Sequence, residues 1–573
     1  MGMDFFVVTL LGYLIGNLGF VFVCADPLKV CLPDAGCYIG RYIVSYNEKE
    51  IETFFGIPYA FPPLRFQPPR RYHSNETHQA KIARCACKQR NYLDHQRLIT
   101  GSEDCLYLNL YRPSLKYFTL IPVLVNFHGG GFFSGASSPL FLGPEYIMDG
   151  QDLILITVSY RLGPFGFLAT SDGVIPGNIG LKDQVMALQW VYNNIEHFGG
   201  DKFRVTLMGQ NAGGISAHLH TFSRISRGLF SAIIAISGTA NSIYAIDENP
   251  DQTARLTAKY CNVSNWDTIT TRKLHTALLF MDADTLLYAG DQLKFWNIDS
   301  LCNYKPIVEK DRRYSFLVEH PSWYISNGEY WPVPSLFGRV PNEGAIRAVN
   351  IMENQHLRDD YNSNFWNLSV KMLEFPSSFN DETKYTRTKL VLDEYNLRDL
   401  YLDGNTVNNF MQLLTDRIFY HPMYKTFKYY VDTINLRKYP LYFYIFNFEG
   451  ELSYAPTYAD HPINRDYNVV HQDDQIYLFR TRYLFPDIKK KTLAAKMITI
   501  YTRFVSNFVY YRKPAFSKFT RCNSSNFFPA SGEICDYFQL VSKNNSARVE
   551  TNNTWDTTKM KLWDFILKKI CYK

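Results

Sequence analysis

Residues 204–218 read Arg-Val-Thr-Leu-Met-Gly-Gln-Asn-Ala-Gly-Gly-Ile-Ser-Ala-His. The apolar run 205–208 predicts a short buried strand, and Gly209 predicts a turn directly after it. The small and apolar residues that follow the next two glycines predict a helix. Asn211 therefore occupies the apex of a predicted strand–turn–helix unit.

This unit has the layout of a nucleophile elbow, Gly-x-Ser-x-Gly, in which a strained turn presents a serine above a sheet. Asn211 stands where that pattern has its serine. A carboxamide is neutral and is not usefully nucleophilic, so we expect no acyl-enzyme at this position. Ser216 lies more than one helical turn further on and cannot occupy the apex. Asparagine suits the apex because it tolerates positive φ better than other non-glycine residues.

Further apolar segments on both sides of this unit predict an α/β fold. Residues 122–127, 153–160 and 229–236 have the pattern of buried strands, and an amphipathic helix is predicted between Gly177 and Ile195. Buried strands that alternate with helices indicate a large, mostly parallel central sheet with helices on both faces.

The rest of the chain continues this pattern without a boundary. Residues 245–430 are predicted to be mainly helical, a strand is expected at 440–448, and helices are expected at 492–512 and 555–570. No linker or low-complexity tract separates these segments. We therefore expect a single domain over residues 26–573.

Composition limits the classes of function. The chain has 573 residues and a net charge of only +6, with no long basic run, which argues against nucleic acid as a partner. Aromatic residues make up 16% of the chain and predict a large aromatic core. Cys85 and Cys87 are separated by one residue and have no paired histidines, so no zinc site is expected. We predict neither a metal nor a cofactor.

The N-terminus and the cysteines indicate secretion. Residues 5–23 are mostly apolar and end in Val-Cys-Ala before Asp26, which predicts a signal peptide over residues 1–25. An uncleaved membrane anchor is the alternative, because the apolar run is about as long as a membrane span. Cleavage leaves ten cysteines, an even number that favours disulfides in an oxidising compartment. Six glycosylation sequons agree with an extracellular location: Asn75, Asn262, Asn367, Asn523, Asn544 and Asn552.

Eight motifs carry a resemblance to a known family. In chain order they are Phe-Gly-Ile-Pro-Tyr-Ala at 55–60, Ser-Glu-Asp-Cys-Leu-Tyr-Leu-Asn at 102–109, His-Gly-Gly-Gly-Phe at 128–132, Gly-Asn-Ile-Gly-Leu-Lys-Asp-Gln at 177–184, Phe-Gly-Gly-Asp at 198–201, Gly-Gln-Asn-Ala-Gly-Gly at 209–214, Asn-Glu-Gly at 342–344 and His-Gln-Asp-Asp-Gln-Ile-Tyr-Leu-Phe at 471–479. With them the chain resembles the type-B carboxylesterase and cholinesterase family of α/β-hydrolases over nearly its whole length. The resemblance implies the α/β-hydrolase fold.

The resemblance also implies a set of site residues. His471 matches the catalytic histidine and Glu343 the catalytic acid, with Glu449 as the other candidate acid. The backbone N–H groups of Gly130, Gly131 and Ala212 match the oxyanion hole. Because Asn211 has no hydroxyl, we expect its amide to donate a hydrogen bond to His471 in place of the serine.

Cysteine pairing is only partly implied. Cys87–Cys105 matches the first disulfide of the family. Cys261 matches the first cysteine of a short loop bridge whose usual partner is missing, and Cys302 is a possible substitute. Sequence leaves the pairing of the other cysteines open: Cys31, Cys37, Cys85, Cys522, Cys535 and Cys571.

Three functions agree with these observations. The first is a secreted pseudoenzyme that binds a small hydrophobic ligand or an extracellular protein without turnover, as the family includes cholinesterase-like adhesion proteins that have lost catalytic residues. The second is a carboxylic ester hydrolase that works by an atypical route. The third is a membrane-anchored adhesion protein that keeps its N-terminal apolar run. The sequence determines neither the ligand nor the oligomeric state.

Overall fold

The structure, a computed structural model, describes residues 28–92, 96–114, 119–310, 313–398, 401–514, 537–543, 546–552 and 557–568. The predicted signal peptide lies outside these ranges. So do three cysteines and two sequons: Cys522, Cys535, Cys571, Asn523 and Asn544.

One large sheet organises the molecule. In chain order its strands are β1 (Arg41–Val44), β2 (Glu50–Pro58), β3 (Tyr107–Pro113), β4 (Ile121–Phe127), β5 (Ile154–Val158), β6 (Gly200–Gln210), β7 (Ala232–Ile236), β8 (Ser335–Arg339), β9 (Leu441–Asn447), β10 (Tyr537–Lys543) and β11 (Ser546–Asn552). Across the sheet the order is β11-β10-β9-β8-β7-β6-β4-β5-β3-β2-β1.

The seven strands from β5 to β10 across the centre of the sheet are parallel, and antiparallel strands complete both edges. Every residue of β4, β5 and β7 is buried, because helices cover both faces of the centre. The predicted α/β-hydrolase architecture is therefore confirmed.

Smaller strands and the helices surround the sheet. The short strands are Lys29–Leu32, Ala35–Ile39, Ala60–Phe61, Arg70–Arg71, Ser74–Gln79, Gln89–Arg90 and Ile99–Thr100. The α-helices are Gly163–Phe167, Ile179–Asn194, Ala212–Leu219, Pro250–Tyr260, Thr271–Leu279, Ala283–Gln292, Pro321–Asn327, Ala345–Glu353, Gln355–Ser363, Phe365–Met372, Asp381–Glu394, Val407–Thr415, His421–Thr433, Leu493–Tyr511 and Thr558–Ile566. Short 3-10 turns and a five-residue π-helical turn, Asp416–Tyr420, join them.

Two predicted strands have different bounds in the structure. Strand β6 begins at Gly200 rather than at residue 205, because Gly200 already pairs with Ile121 before a register shift. Strand β7 begins at Ala232 rather than at 229, since the preceding residues form a turn with Gly228 at a φ of 84°. The early part of β6, residues 200–204, is mostly polar, whereas apolar residues at 229–230 precede β7 without pairing, so the sequence pattern alone did not mark where either strand starts.

The structure contains the disulfide that the family resemblance implies, but it does not contain a disulfide between Cys261 and Cys302. Cys87–Cys105 is a disulfide, and Cys31–Cys37 forms a second one. Cys261 and Cys302 are both buried and both free, so the open alternative in which Cys302 replaces the missing partner is not formed. The Cys302 sulfur instead lies beside the loop of Gly131. Cys85 is free and exposed.

Three of the four described sequon asparagines are exposed, namely Asn75, Asn262 and Asn367, and Asn552 is half-buried. Among the residues that the structure describes, no helix is both long enough and apolar enough to cross a bilayer. Within those same ranges, no group of three or more His, Cys, Asp or Glu side chains is arranged to hold a metal ion.

Candidate active site

The predicted site residues meet at one edge of the parallel sheet. Asn211 follows β6 directly, and Gly130 and Gly131 lie just beyond β4. Glu343 follows β8, and His471 lies on a longer connection after β9. The carboxyl ends of parallel strands are where ligand sites form in such sheets, because the loops that leave them converge.

The elbow is present in a strained form. Asn211 has φ 55° and ψ −120° between β6 and the helix Ala212–Leu219. A Cβ at Gly209 would lie 2.2 Å from the Gly213 carbonyl carbon, and one at Gly213 would lie 2.0 Å from Phe127 O, so the turn needs glycine at both positions. The positive φ at Asn211 agrees with the prediction. Its ψ lies outside the left-handed helical region that asparagine favours, so tertiary packing rather than local preference holds this conformation.

The Asn211 carboxamide bridges two parts of the site. Its Nδ2 donates to His471 Nε2 at 3.1 Å, as we expected from the sequence. Its Oδ1 accepts from the backbone N–H of Gly131 at 2.9 Å, which the sequence did not indicate. The side chain that replaces the serine is therefore bonded both to the histidine and to the glycine loop.

His471 is buried and held from several sides. Its Nδ1 donates to Glu343 Oε2. Its Nε2 accepts from Asn211, and Gln210 Nε2 also donates to it at 2.9 Å. These partners specify a neutral imidazole with its proton on Nδ1. The ring of Phe419 packs 5.0 Å from the imidazole.

Glu343 is the acid that reaches the histidine. It is fully buried, and its Oε1 accepts from Ser237 Oγ at 2.6 Å and from the Val340 N–H at 3.0 Å. Glu449 is exposed, and a hydrogen bond to Asp466 raises its pKa. Of the two candidate acids, Glu343 is therefore the one that is hydrogen-bonded to His471.

The predicted oxyanion loop lies opposite Asn211. Gly130 and Gly131 have φ values of 105° and 60°, which turn the loop above the elbow. Burial lowers the pKa of the preceding His128 to about 4, so this histidine is neutral and stacks on Tyr160 with the ring centroids 4.4 Å apart. Ala212 is the first residue of its helix, where an N–H has no partner within the helix and is suited to bind an anion.

A cavity opens above these residues. Its volume is about 200 Å³, and Asn211, Gln210 and His471 form part of its wall. Much of the remaining wall is apolar and aromatic: Tyr92, Phe133, Phe141, Leu142, Ile298, Leu301, Ile346, Tyr454 and Tyr458. Among the described lining residues, the only Lys or Arg side chains are Arg97 and Lys294, and none is acidic.

Comparison with known proteins agrees with this geometry. Residues 29–563 match the sequence pattern of the carboxylesterase family. The chain belongs to the carboxylesterase family. It is 37% identical to a juvenile hormone esterase from Tribolium castaneum over 87% of this chain and 86% of that protein. Venom carboxylesterase-6 from Apis mellifera is 30% identical over 95% of this chain and 96% of that protein.

The fold also matches that of a solved structure. The crystal structure of juvenile hormone esterase from Manduca sexta, with OTFP covalently attached, matches with a TM-score of 0.78 and 25% identity. The match covers 94% of this chain and 99% of that one. The central sheet and its helical cover therefore match the fold of that esterase.

Two residues of this carboxylesterase-family site were missed from the sequence. Gln210 donates to His471, and Ser237 donates to Glu343. Each is the polar residue at or just after the end of a buried parallel strand, β6 or β7. That position was the available signal, because side chains at the carboxyl ends of neighbouring parallel strands face the same site.

Proposed function

We propose that this carboxylesterase-family chain is a secreted pseudoenzyme that binds a small apolar ligand in the cavity above Asn211 and lacks ordinary ester hydrolysis. The observation that carries the proposal is the bridge formed by the Asn211 side chain between His471 and Gly131. An extracellular protein partner is the alternative ligand of such a chain, but the mainly apolar, concave cavity favours a small molecule.

The bridge removes each step of the family chemistry. In an esterase of this type, a serine attacks the carbonyl, the histidine removes its proton, and the oxyanion hole stabilises the negative oxygen. Here no hydroxyl is available at the apex, the Nε2 lone pair accepts amide protons, and the Gly131 N–H is already bonded to Oδ1. Loss of the serine alone reduces turnover by on the order of 10⁶ in a comparable hydrolase.

The ligand class follows from the cavity and from the relatives. The wall is mainly apolar and aromatic, which suits a hydrophobic molecule with few polar groups. The similar protein from Tribolium castaneum is named a juvenile hormone esterase, so an apolar ester of that kind is the first candidate ligand. Secretion is supported by the apolar leader in the sequence and by the two disulfides.

The proposal is tested on the purified wild-type protein. We expect a chromogenic short-chain ester to be hydrolysed no faster than by a heat-denatured control, and an organophosphate label to remain unattached. We expect an apolar fluorescent probe to bind in the cavity and to be displaced by an apolar ester. Ester turnover well above the control, or stoichiometric labelling by the organophosphate, would contradict the proposal that the protein is a pseudoenzyme.

Hydrolysis by an atypical route is the second candidate, and the intact His471–Glu343 pair favours it. In that case His471 would activate water directly. Ester turnover without organophosphate labelling, abolished by His471→Gln, would establish this route. The membrane-anchored alternative is tested separately by N-terminal sequencing of secreted material, which we expect to begin near Asp26.

A further inference from the structure

The charged groups on the cavity wall have one sign. Lys294 and Arg97 line the cavity, and no Asp or Glu does so among the described residues. An apolar cavity with only cationic charge on its wall is suited to an amphipathic anion. We propose that the ligand is an apolar chain that ends in a carboxylate, with the carboxylate bound by Lys294. This inference rests on the proposed ligand-binding function and changes its first candidate: the free acid of an apolar ester, rather than the neutral ester itself, is the preferred ligand.

The Lys294 ammonium lies at an apolar part of the wall. Its side chain is only 13% exposed, and its Nζ is 3.9 Å from the centre of the Tyr92 ring and donates to the Tyr92 hydroxyl at 2.7 Å. Phe133 and Leu301 line the same part of the cavity. Lys294, Tyr92, Phe133 and Leu301 also line a smaller neighbouring pocket, so Lys294 borders both the cavity and that pocket.

The acidic groups nearby do not neutralise this cationic region. Lys294 Nζ is 3.7 Å from Asp291, which is also paired with Arg90. Arg97 is paired with Asp460 at 2.6 Å. Lys294, Arg90 and Arg97 thus share two carboxylates. Asp299 also interacts with Lys294, but it is paired with Arg347. These ion pairs therefore leave one positive charge to be balanced. A ligand with a single carboxylate would supply that balance.

The titration behaviour of Lys294 agrees with this arrangement. Burial lowers the pKa of its ammonium to about 8, Arg97 and Arg90 lower it as well, and Asp291 acts in the opposite direction. The ammonium therefore remains mostly protonated near neutral pH although its surroundings disfavour the charge. A bound carboxylate would relieve this cost, whereas a neutral ligand would not.

The test compares decanoate with decan-1-ol, which has the same apolar chain without the charge. Binding of each is measured near neutral pH by calorimetry on wild type, Lys294→Met and Lys294→Arg. We expect wild type to bind decanoate about tenfold more tightly than decanol. Lys294→Met should weaken decanoate binding about tenfold and leave decanol within about threefold, while Lys294→Arg should keep decanoate within about threefold of wild type.

Each outcome is informative. Decanol binding to Lys294→Met shows that the variant is folded and that its cavity is intact. Equal affinity of wild type for decanoate and decanol, or equal loss of both in Lys294→Met, would overturn the carboxylate proposal and leave the ligand-binding function in place. Binding of neither probe to wild type would overturn both.

Discussion

The side-chain oxygen of Asn211 lies 2.9 Å from the backbone nitrogen of Gly131 and accepts its hydrogen bond. Gly131 matches a donor that, in active relatives, stabilises the negative oxygen of a reacting ester. In this chain the same N–H is satisfied by the residue that replaces the nucleophile. One substitution therefore removes the attacking group and also occupies a donor that would stabilise its product.

Asn211→Ser should create an esterase. The variant restores a hydroxyl within reach of His471 and frees the Gly131 N–H, so we expect turnover of a short-chain chromogenic ester to rise by roughly 10³-fold or more. Steady-state kinetics of wild type and variant measure the change. The gain should disappear in Asn211→Ser combined with His471→Gln, which has the hydroxyl but not the base. If Asn211→Ser is folded but hydrolyses no ester, then catalytic features other than the nucleophile have also been lost.

Replacing Asn211 by alanine or by glycine distinguishes the effect of its side-chain hydrogen bonds on stability from the effect of its backbone strain. Both variants lose the bonds to His471 and Gly131 and leave the Gly131 N–H without its partner, so Asn211→Ala should destabilise the protein by about 1–3 kcal/mol. Asn211→Gly should be about 1 kcal/mol more stable than Asn211→Ala, because glycine adopts φ 55°, ψ −120° without strain. Urea unfolding of wild type, Asn211→Ala and Asn211→Gly measures both differences in the free energy of unfolding. Equal stability would indicate that the apex carries no strain.

The buried pair of Arg347 and Asp299 should matter greatly for stability. Both side chains have no exposed surface, their charged atoms are 2.5 Å apart, and burial raises the pKa of Asp299 to about 6. Arg347→Met leaves the carboxyl of Asp299 without this partner, so we expect a loss of about 3–5 kcal/mol in the free energy of unfolding.

The matched control for this pair is Lys490→Met, which breaks the exposed pair with Glu48. Solvent screens that pair, so its loss should leave the denaturation midpoint unchanged within error. If Arg347→Met also left the denaturation midpoint unchanged, the buried pair would make no net contribution to the free energy of unfolding.

Asp473 should make the protein less stable as pH rises. Burial raises its pKa from 3.8 to about 7, although it accepts hydrogen bonds from the N–H groups of Tyr454 and Val470. The folded state therefore binds this proton more tightly than the unfolded chain does. Its contribution to stability is complete below about pH 4 and is lost as pH rises through about 7.

Asp473→Asn should reduce the loss of stability between pH 5 and pH 8 by about 2–3 kcal/mol. Chemical denaturation at both pH values measures the difference. Asp403→Asn is the control, because backbone N–H groups lower the pKa of Asp403 and its contribution is lost only as pH falls below the ordinary range of a carboxyl. An unchanged pH dependence in Asp473→Asn would show that this carboxyl does not titrate in that window.

Much of the fold could be predicted from local sequence. The strands that became β4, β5 and β9 and the helix Leu493–Tyr511 were placed within a few residues, since hydrophobic periodicity depends on neighbours in the chain. The C-terminal helix was predicted over 555–570, and in the structure it is shorter, Thr558–Ile566. The start positions of β6 and β7 differ from the prediction, because strand pairing depends on the partner strands rather than on local composition.

The sequence by itself determined the family, the elbow and the absence of a serine at its apex, because motifs and residue identity are local properties of the chain. The sequence predicted the hydrogen bond from Asn211 to His471, and only the tertiary structure revealed the second bond, to Gly131. The two hydrogen-bond partners of Asn211 lie 80 and 260 residues away. The same is true of Lys294, whose partner Tyr92 is 202 residues away. Such contacts arise when the sheet brings distant loops to one edge, and no local pattern encodes the distance between them.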